Sequence, residues 1–207
     1  MEALVRADLV DRIAAGIDTA ALSGTGASNQ PRGIANTTNI NAIQLGANGG
    51  ALSYSNLVAM IGALGAANVD MDGNALAWIM DWKTASAVMN ISDSANRPLF
   101  LNYNSQAFIT NEGLSNNNLD AIFLGYKAYK SNNARSNLTK GTATGLSELF
   151  FGRWADIIIG EWGVLEVVAN PWGQAFASGG LQIRAIQIID VGIRHPQSFA
   201  YINDIIA

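Results

Sequence analysis

The feature that most constrains this chain lies near its C-terminal end, in residues 181–194. Leu181, Ile183, Ala185, Ile189, Val191 and Ile193 recur at every second position, with Gln187 the one polar exception in the row. The alternate row carries Gln182, Arg184, Asp190 and Arg194, with Ile186 and Ile188 between them. A period of two is the pattern of a β-strand with one covered face. At ~3.3 Å per residue the segment would run roughly 45 Å, against the five or six residues of an ordinary strand. A strand of that length spans a whole subunit, so the fold around it must be elongated and suited to bridging neighbours.

At the other end the period changes. Val5, Leu9, Ile13 and Ile17 recur every four residues, with Arg6, Asp8, Asp11, Arg12 and Asp18 on other faces, which predicts an amphipathic helix. Residues 23–33, rich in glycine and closed by Pro31, end it. Residues 36–51 are rich in Asn, Thr and Gly and read as loop with a short edge strand. A second helix starts near Ser53 or Ser55 and turns Leu57, Met60, Ile61 and Leu64 to one side. Asp72-Gly73 leads into a short buried strand at 75–80, and Asp81 is placed to cap a third helix over 82–89. Residues 91–118 are polar, with Pro98-Leu99-Phe100 as their apolar anchor, and short strands are expected at 121–124 and 157–159. No internal repeat is evident.

Composition narrows what such a chain does. Only 14% of its 207 residues are charged although 49% are hydrophobic, against about a quarter charged in an ordinary soluble domain. Part of the surface is therefore expected to be covered. No apolar run approaches the ~20 residues that cross a bilayer, so a protein partner is the better cover. Twelve basic against sixteen acidic residues, a net charge of −4, argue against a domain built to grip nucleic acid. The absence of cysteine excludes disulfides, thiol nucleophiles and cysteine metal sites. Residues 1–8 carry mixed charge and no signal core, and read as the middle of a helix from which something upstream has been removed.

Each candidate for chemistry has a plainer explanation. His195, the single histidine, stands before Pro196 at the end of the long strand and cannot make a two-histidine metal site. Asp70-Met71-Asp72-Gly73-Asn74 resembles a calcium loop only faintly, because the further oxygen ligands such a loop needs are lacking. Gly24-Thr25-Gly26 follows a helix and leads into Pro31, the wrong order for a phosphate loop. Glu148, Asp156, Glu161 and Glu166 could pair as acid and base, but acids in alternating strands usually mark the solvent face. Asn36, Asn90 and Asn137 match glycosylation acceptors by chance in an Asn-rich chain. Trp78, Trp82, Trp154, Trp162 and Trp172 form no stripe and read as core and interface anchors. No catalytic, cofactor-binding or metal-binding residue is assigned, and no cofactor is expected.

In order, several segments resemble the tailed-bacteriophage major capsid proteins of the Hong Kong 97-like family. They are Asp18-Thr19-Ala20-Ala21-Leu22-Ser23-Gly24-Thr25-Gly26 with Gln30-Pro31-Arg32-Gly33-Ile34; Ala77-Trp78-Ile79-Met80 with Arg97-Pro98-Leu99-Phe100; Phe123-Leu124-Gly125-Tyr126; Phe150-Phe151-Gly152-Arg153-Trp154; and His195-Pro196-Gln197-Ser198-Phe199. Each is short, and it is their order and spacing over nearly the whole chain that carries the resemblance. Lys127 stands where the family often has proline, and Arg153 where it often has an acid.

The resemblance implies an α+β capsid fold with two lobes. A peripheral lobe would take residues 1–32 and 169–194, with the spine helix and long strand. An axial lobe would take 33–168 and 195–207, with a central sheet and flanking helices. Its implied role is structural and not enzymatic: to tile, in hexamers and pentamers of itself, the icosahedral head of a tailed phage or prophage. The implied location is the virion, and the bacterial cytoplasm during assembly. A scaffolding protein and a protease are the further partners it implies; DNA is met only indirectly, and a membrane not at all. The loops at 102–118 and 130–145 are where conformation would vary between subunits. The family's N-terminal arm and extended loop have no counterpart before the helix, so a truncated subunit that stays monomeric or forms small oligomers instead of closed shells is expected. The family's isopeptide cross-link is not expected, since Gly179 stands near its asparagine position and Ile186 or Gln187 near its glutamate. The alternatives are a bacterial encapsulating compartment of the same fold, a sugar-binding surface module, or a hydrolase whose pocket would gather Glu161, Asp156 or His195.

Overall fold

The computed structural model of the chain describes residues 2–72, 75–92, 95–96, 119–170, 172–173 and 178–207. The Pro98-Leu99-Phe100 anchor and the 102–118 loop lie outside them. The chain forms two compact units, Met1–Asn36 with Ile158–Gly192, and Thr37–Ile157 with Ile193–Ala207.

The first unit opens with helix α1, Glu2–Ser23. Leu9, Ile13 and Ile17 form its half-buried stripe as the four-residue period predicts, but Val5 is exposed. A tight turn stops the helix: the Gly24 N–H donates to Ala20 O, the Gly33 N–H to Gly24 O, and Thr25 bridges Arg32 in antiparallel fashion. Only glycine fits at 33, since a Cβ there would come within 2.5 Å of Ala20 O and 2.7 Å of Ser23 N. Asn36, in a 3₁₀ turn (Ile34–Asn36), donates its side-chain amide to Ser23 O and Gly24 O and closes the turn. The rest of the unit is a two-stranded sheet of β8 (Ile157–Asn170) and β9 (Gln182–Ile193). Gly192 lies across from Ile158 and Gly160 across from Asp190, so the two strands run antiparallel. The long strand is present at almost the expected bounds. The short strand expected at 157–159 is instead 14 residues long. Gly160 and Gly163 hid its continuation, yet Gly163 takes a positive φ within the strand and does not end it.

The second unit holds an eight-stranded mixed sheet. Its strands are β1 (Asn41–Ala42), β2 (Gly50–Ala51), β3 (Leu76–Met80), β4 (Leu119–Phe123), β5 (Tyr126–Lys130), β6 (Leu138–Lys140), β7 (Ala143–Arg153) and β10 (Phe199–Ile206). The order is β1-β10-β7-β3-β5-β4, with β2 also on β10 and β6 on β7. Strand β7 lies between β10 and β3 and is antiparallel to both, pairing Tyr201 with Phe150 and Trp78 with Phe151. Helix α2 (Tyr54–Ala66) starts on Ser53, whose side chain accepts from Asn56 N, and buries Leu57, Met60 and Leu64. Helix α3 (Trp82–Met89) starts on Asp81, whose carboxylate accepts from the N–H groups of Lys83 and Thr84. Both caps supply acceptors for otherwise orphaned helix donors, as read from the sequence.

Trp78 is the centre of this core. Its ring stacks on Phe151 at 4.2 Å between centroids, meets Phe123 edge-on at 5.3 Å, and donates Nε1–H to Phe123 O. Leu57, Met60, Leu64, Leu149 and Ile202 pack in the same cluster. Beside this apolar core lies a polar group. Glu148, fully buried, accepts from the Arg135 main-chain N–H at 2.7 Å and from its guanidinium at 3.1 and 3.2 Å. Burial and the Glu148 carboxylate push the Tyr201 phenol up to about 12. Asp204, also buried, pairs with Lys140 and accepts the Leu45 N–H. The expectation that Glu148 and Asp156 mark a solvent face is therefore wrong: both are buried, because β7 and the 3₁₀ turn after it lie inside the unit. Glu161 and Glu166 are exposed, as expected.

Candidate functional site

No described residues form a group of three or more His, Asp or Glu able to hold a metal ion, and no described helix is long and apolar enough to cross a membrane. The residues singled out from the sequence are mostly committed to the fold. Gly24-Thr25-Gly26 forms the turn after α1. Asp72 accepts the Ala75 and Leu76 N–H groups through its main chain, and Asp81 caps α3, while Gly73 and Asn74 lie outside the described residues. Asn36 closes the α1 turn and Asn90 ends α3. Of the three acids and bases a hydrolase would gather, Asp156 and His195 line one cavity of the second unit with Asp70 and Arg153. Glu161 is on β8, in the other unit.

The first unit instead presents an apolar surface. Along β9, odd-numbered residues are half-buried or buried and even-numbered ones exposed, as the period of two requires. Ile13, Ile17 and Ala20 of α1 line a groove of about 410 Å³ with Ala185, Gln187 and Ile189. Gln187, the polar interruption in the apolar row, has a buried Oε1 with no partner among the described residues. Arg6 ties the helix to β8 by donating to Val167 O.

The outward side of the ribbon is covered by nothing described within the unit. Trp162 is 60% exposed, Val164 89% and Ile188 62%, with Ile158 and Ile186 also open and Trp172 exposed beyond the end of β8. The nearby charges are few: Glu161 and Glu166 on β8, Arg184 and Asp190 on β9. Contiguous apolar surface of this kind marks an interaction site, and its aromatic content is that of interface centres. Sequence reading had placed Ile186 and Ile188 on this outer row. A strand confined to 157–159 leaves out Trp162 and Val164, which the full β8 carries on the same sheet. The tryptophans divide accordingly: Trp78 is core, Trp154 donates to Ala77 O within the second unit, and Trp82, Trp162 and Trp172 are exposed.

Residues 1–204 match the phage capsid family. The chain is 30% identical over 200 residues to the major capsid protein of Halomonas phage phiHAP-1, covering 97% of this chain and 28% of that protein. It thus spans little more than a quarter of the length of the curated relative it matches. Among solved structures, the capsid of an empty GTA particle superposes with a TM-score of 0.70 at 18% identity, over 100% of this chain and 67% of that one. A chain of Gordonia phage Cozz superposes with a TM-score of 0.63 at 15% identity, over 99% of this chain and 63% of that one. These likenesses establish the Hong Kong 97-like capsid fold for the described chain.

Proposed function

The chain belongs to the phage capsid family, and on that premise we propose that it is a shell-building part of a phage major capsid protein, working by association with its own copies. The uncovered apolar ribbon of β8 and β9 is the observation that carries this reading. A protein that acted alone would leave Trp162, Val164 and Ile188 in water, at a cost of about 1.5–3 kcal/mol for each large side chain that burial would recover. Many copies related by closed symmetry provide that cover through head-to-tail contacts.

The peripheral role is assigned to the unit of Met1–Asn36 and Ile158–Gly192, which takes in β8 as a whole, and the axial role to the unit of Thr37–Ile157 and Ile193–Ala207. The axial unit would form hexamers and pentamers and the peripheral unit would join them. The working place of the assembled protein is the virion shell, reached through assembly in the host cytoplasm, and DNA is enclosed without being gripped. No catalytic residue, cofactor or cross-link is part of the role. The encapsulating-compartment and sugar-binding alternatives are not favoured by the family match.

The test is sedimentation equilibrium over a wide concentration range, with negative-stain microscopy of the concentrated sample. Reversible self-association is expected, weakened roughly tenfold or more in Trp162→Ser with Ile188→Ser. The melting temperature of the dilute protein should stay near that of the parent. A parent chain that remains monomeric at every concentration, or association indifferent to the paired substitution, overturns the assignment of this surface.

A further inference from the structure

The ribbon of β8 and β9 has two strands, so among the described residues each strand has one edge that pairs with no other. A free edge is a template for a further strand. Gly160 lies across from Asp190 and Gly192 across from Ile158. That register turns the main-chain groups of even-numbered β9 residues toward β8 and those of odd-numbered residues outward. The Val191 N–H accordingly donates to Asp190 Oδ1 and not across the ribbon, which places the Asp190 carboxylate at the free edge. The two edges differ. On β8, Gly163 interrupts the strand with a φ of 80° and Val167 O is taken by Arg6. On β9, no residue takes a positive φ outside glycine, and none from Gln182 to Ile193 takes one at all. The groove that Ala185, Gln187 and Ile189 share with α1 is lined by no residue of β8, so it opens along this same edge.

The order of side chains along β9 selects the occupant, because it reads alike in both directions about Gln187. We propose that the β9 edge pairs with the β9 edge of a second copy of this chain, antiparallel, about a two-fold axis at Gln187. Gln187 then meets its own copy and Ala185 meets Ile189, all with outward main-chain groups, giving about six hydrogen bonds. On the exposed row Ile186 meets Ile188 and Arg184 meets Asp190, each pair occurring twice. Sliding one copy by two residues sets Arg184 against Ile188 or Gly192, and Asp190 against Gln182 or Ile186. Charge therefore picks the register centred on Gln187. The contact is isologous and closes on itself, and the interrupted β8 edges stop the joined sheet at four strands. This inference rests on the self-association reading but uses the strand edge, leaving the outward row of Trp162 and Val164 open for other contacts.

The test is a charge exchange in the full chain, read by sedimentation equilibrium at low salt. Arg184→Asp sets acid against acid at both ends of the contact, and Asp190→Arg sets base against base. Each should weaken self-association by roughly tenfold. Mixed together, the two single variants restore both ion pairs and should associate about as tightly as the parent, as should the double exchange in one chain. That recovery also shows that the variants are folded. The chain has no cysteine, so Gln182→Cys carries a single spin label. Ten residues of antiparallel strand separate the two labels in the paired copies, and electron double resonance should read roughly 30–35 Å. A parent that is monomeric at every concentration overturns this inference together with the self-association reading. A parent that associates, with single variants as tight as the parent, a mixture no tighter than its components, or labels far from that distance, overturns the β9 pairing alone.

Discussion

Replacing Arg135 by methionine tests the account of the buried polar group most sharply. Arg135→Met keeps two main-chain bonds, the residue 135 N–H to Glu148 Oε1 and the Glu148 N–H to residue 135 O. It removes both guanidinium bonds to Oε2, at 3.1 and 3.2 Å. Glu148 is fully buried, whereas the Arg135 side chain is 32% exposed. Stripping one partner from a fully buried pair costs about 3–5 kcal/mol, because the other charge stays in place without compensation. With one main-chain donor retained and the arginine partly in water, the expected loss is about 2–3 kcal/mol. For a chain of this size that corresponds to a fall in Tm of roughly 5–10 °C.

Adding Glu148→Gln removes the stranded charge, so the double variant should be more stable than the sum of the single losses by about 1–2 kcal/mol. Urea unfolding followed by far-ultraviolet circular dichroism, with all four proteins in one buffer, measures this coupling. Because Glu148 is out of water, the coupling should persist in high salt, where surface pairs are screened. An Arg135→Met chain within about 0.5 kcal/mol of the parent, or additive losses in the double variant, would refute the reasoning.

Tyr201, held at about 12 by burial and by Glu148, should make the protein sensitive to alkali. The neutral phenol is favoured by the fold, so its contribution is complete below the unfolded pKa of 10 and is lost as pH rises through about 12. The loss approaches about 2–3 kcal/mol and is absent in Tyr201→Phe; stability against pH and tyrosinate absorbance check it. Glycine-to-alanine changes should have opposite signs at two sites of the first unit. Gly33→Ala drives a Cβ against main-chain atoms and should cost about 1–3 kcal/mol, exposing the turn after α1 to protease. Gly16→Ala meets nothing within 4 Å on α1 and should stabilise by about 0.5–1 kcal/mol. Asp81→Ala leaves the Lys83 and Thr84 N–H groups without their acceptor and should cost about 1–2 kcal/mol, seen as faster hydrogen exchange in the first turn of α3.

What the sequence determined by itself was local: the stripe of α1, the caps at Ser53 and Asp81, and the alternation along β9. Each depends on residues a few positions apart, and each is in the structure within a residue or two of its expected place. The order of the family-like segments also carried the fold, although no single one of them would have. Tertiary structure decided the rest. Strand β10, Phe199–Ile206, is buried on both faces between β7 and the short parallel strands β1 and β2, so it has no alternation to read. Central β7 is buried continuously from Leu146 to Gly152, which placed Glu148 in the interior where Arg135 could reach it. On β8 two glycines concealed a long strand, and with it the outer row on which Trp162 and Val164 lie. Strand pairing joins residues far apart in the chain, and that pairing fixes which charges are buried and which apolar side chains remain uncovered.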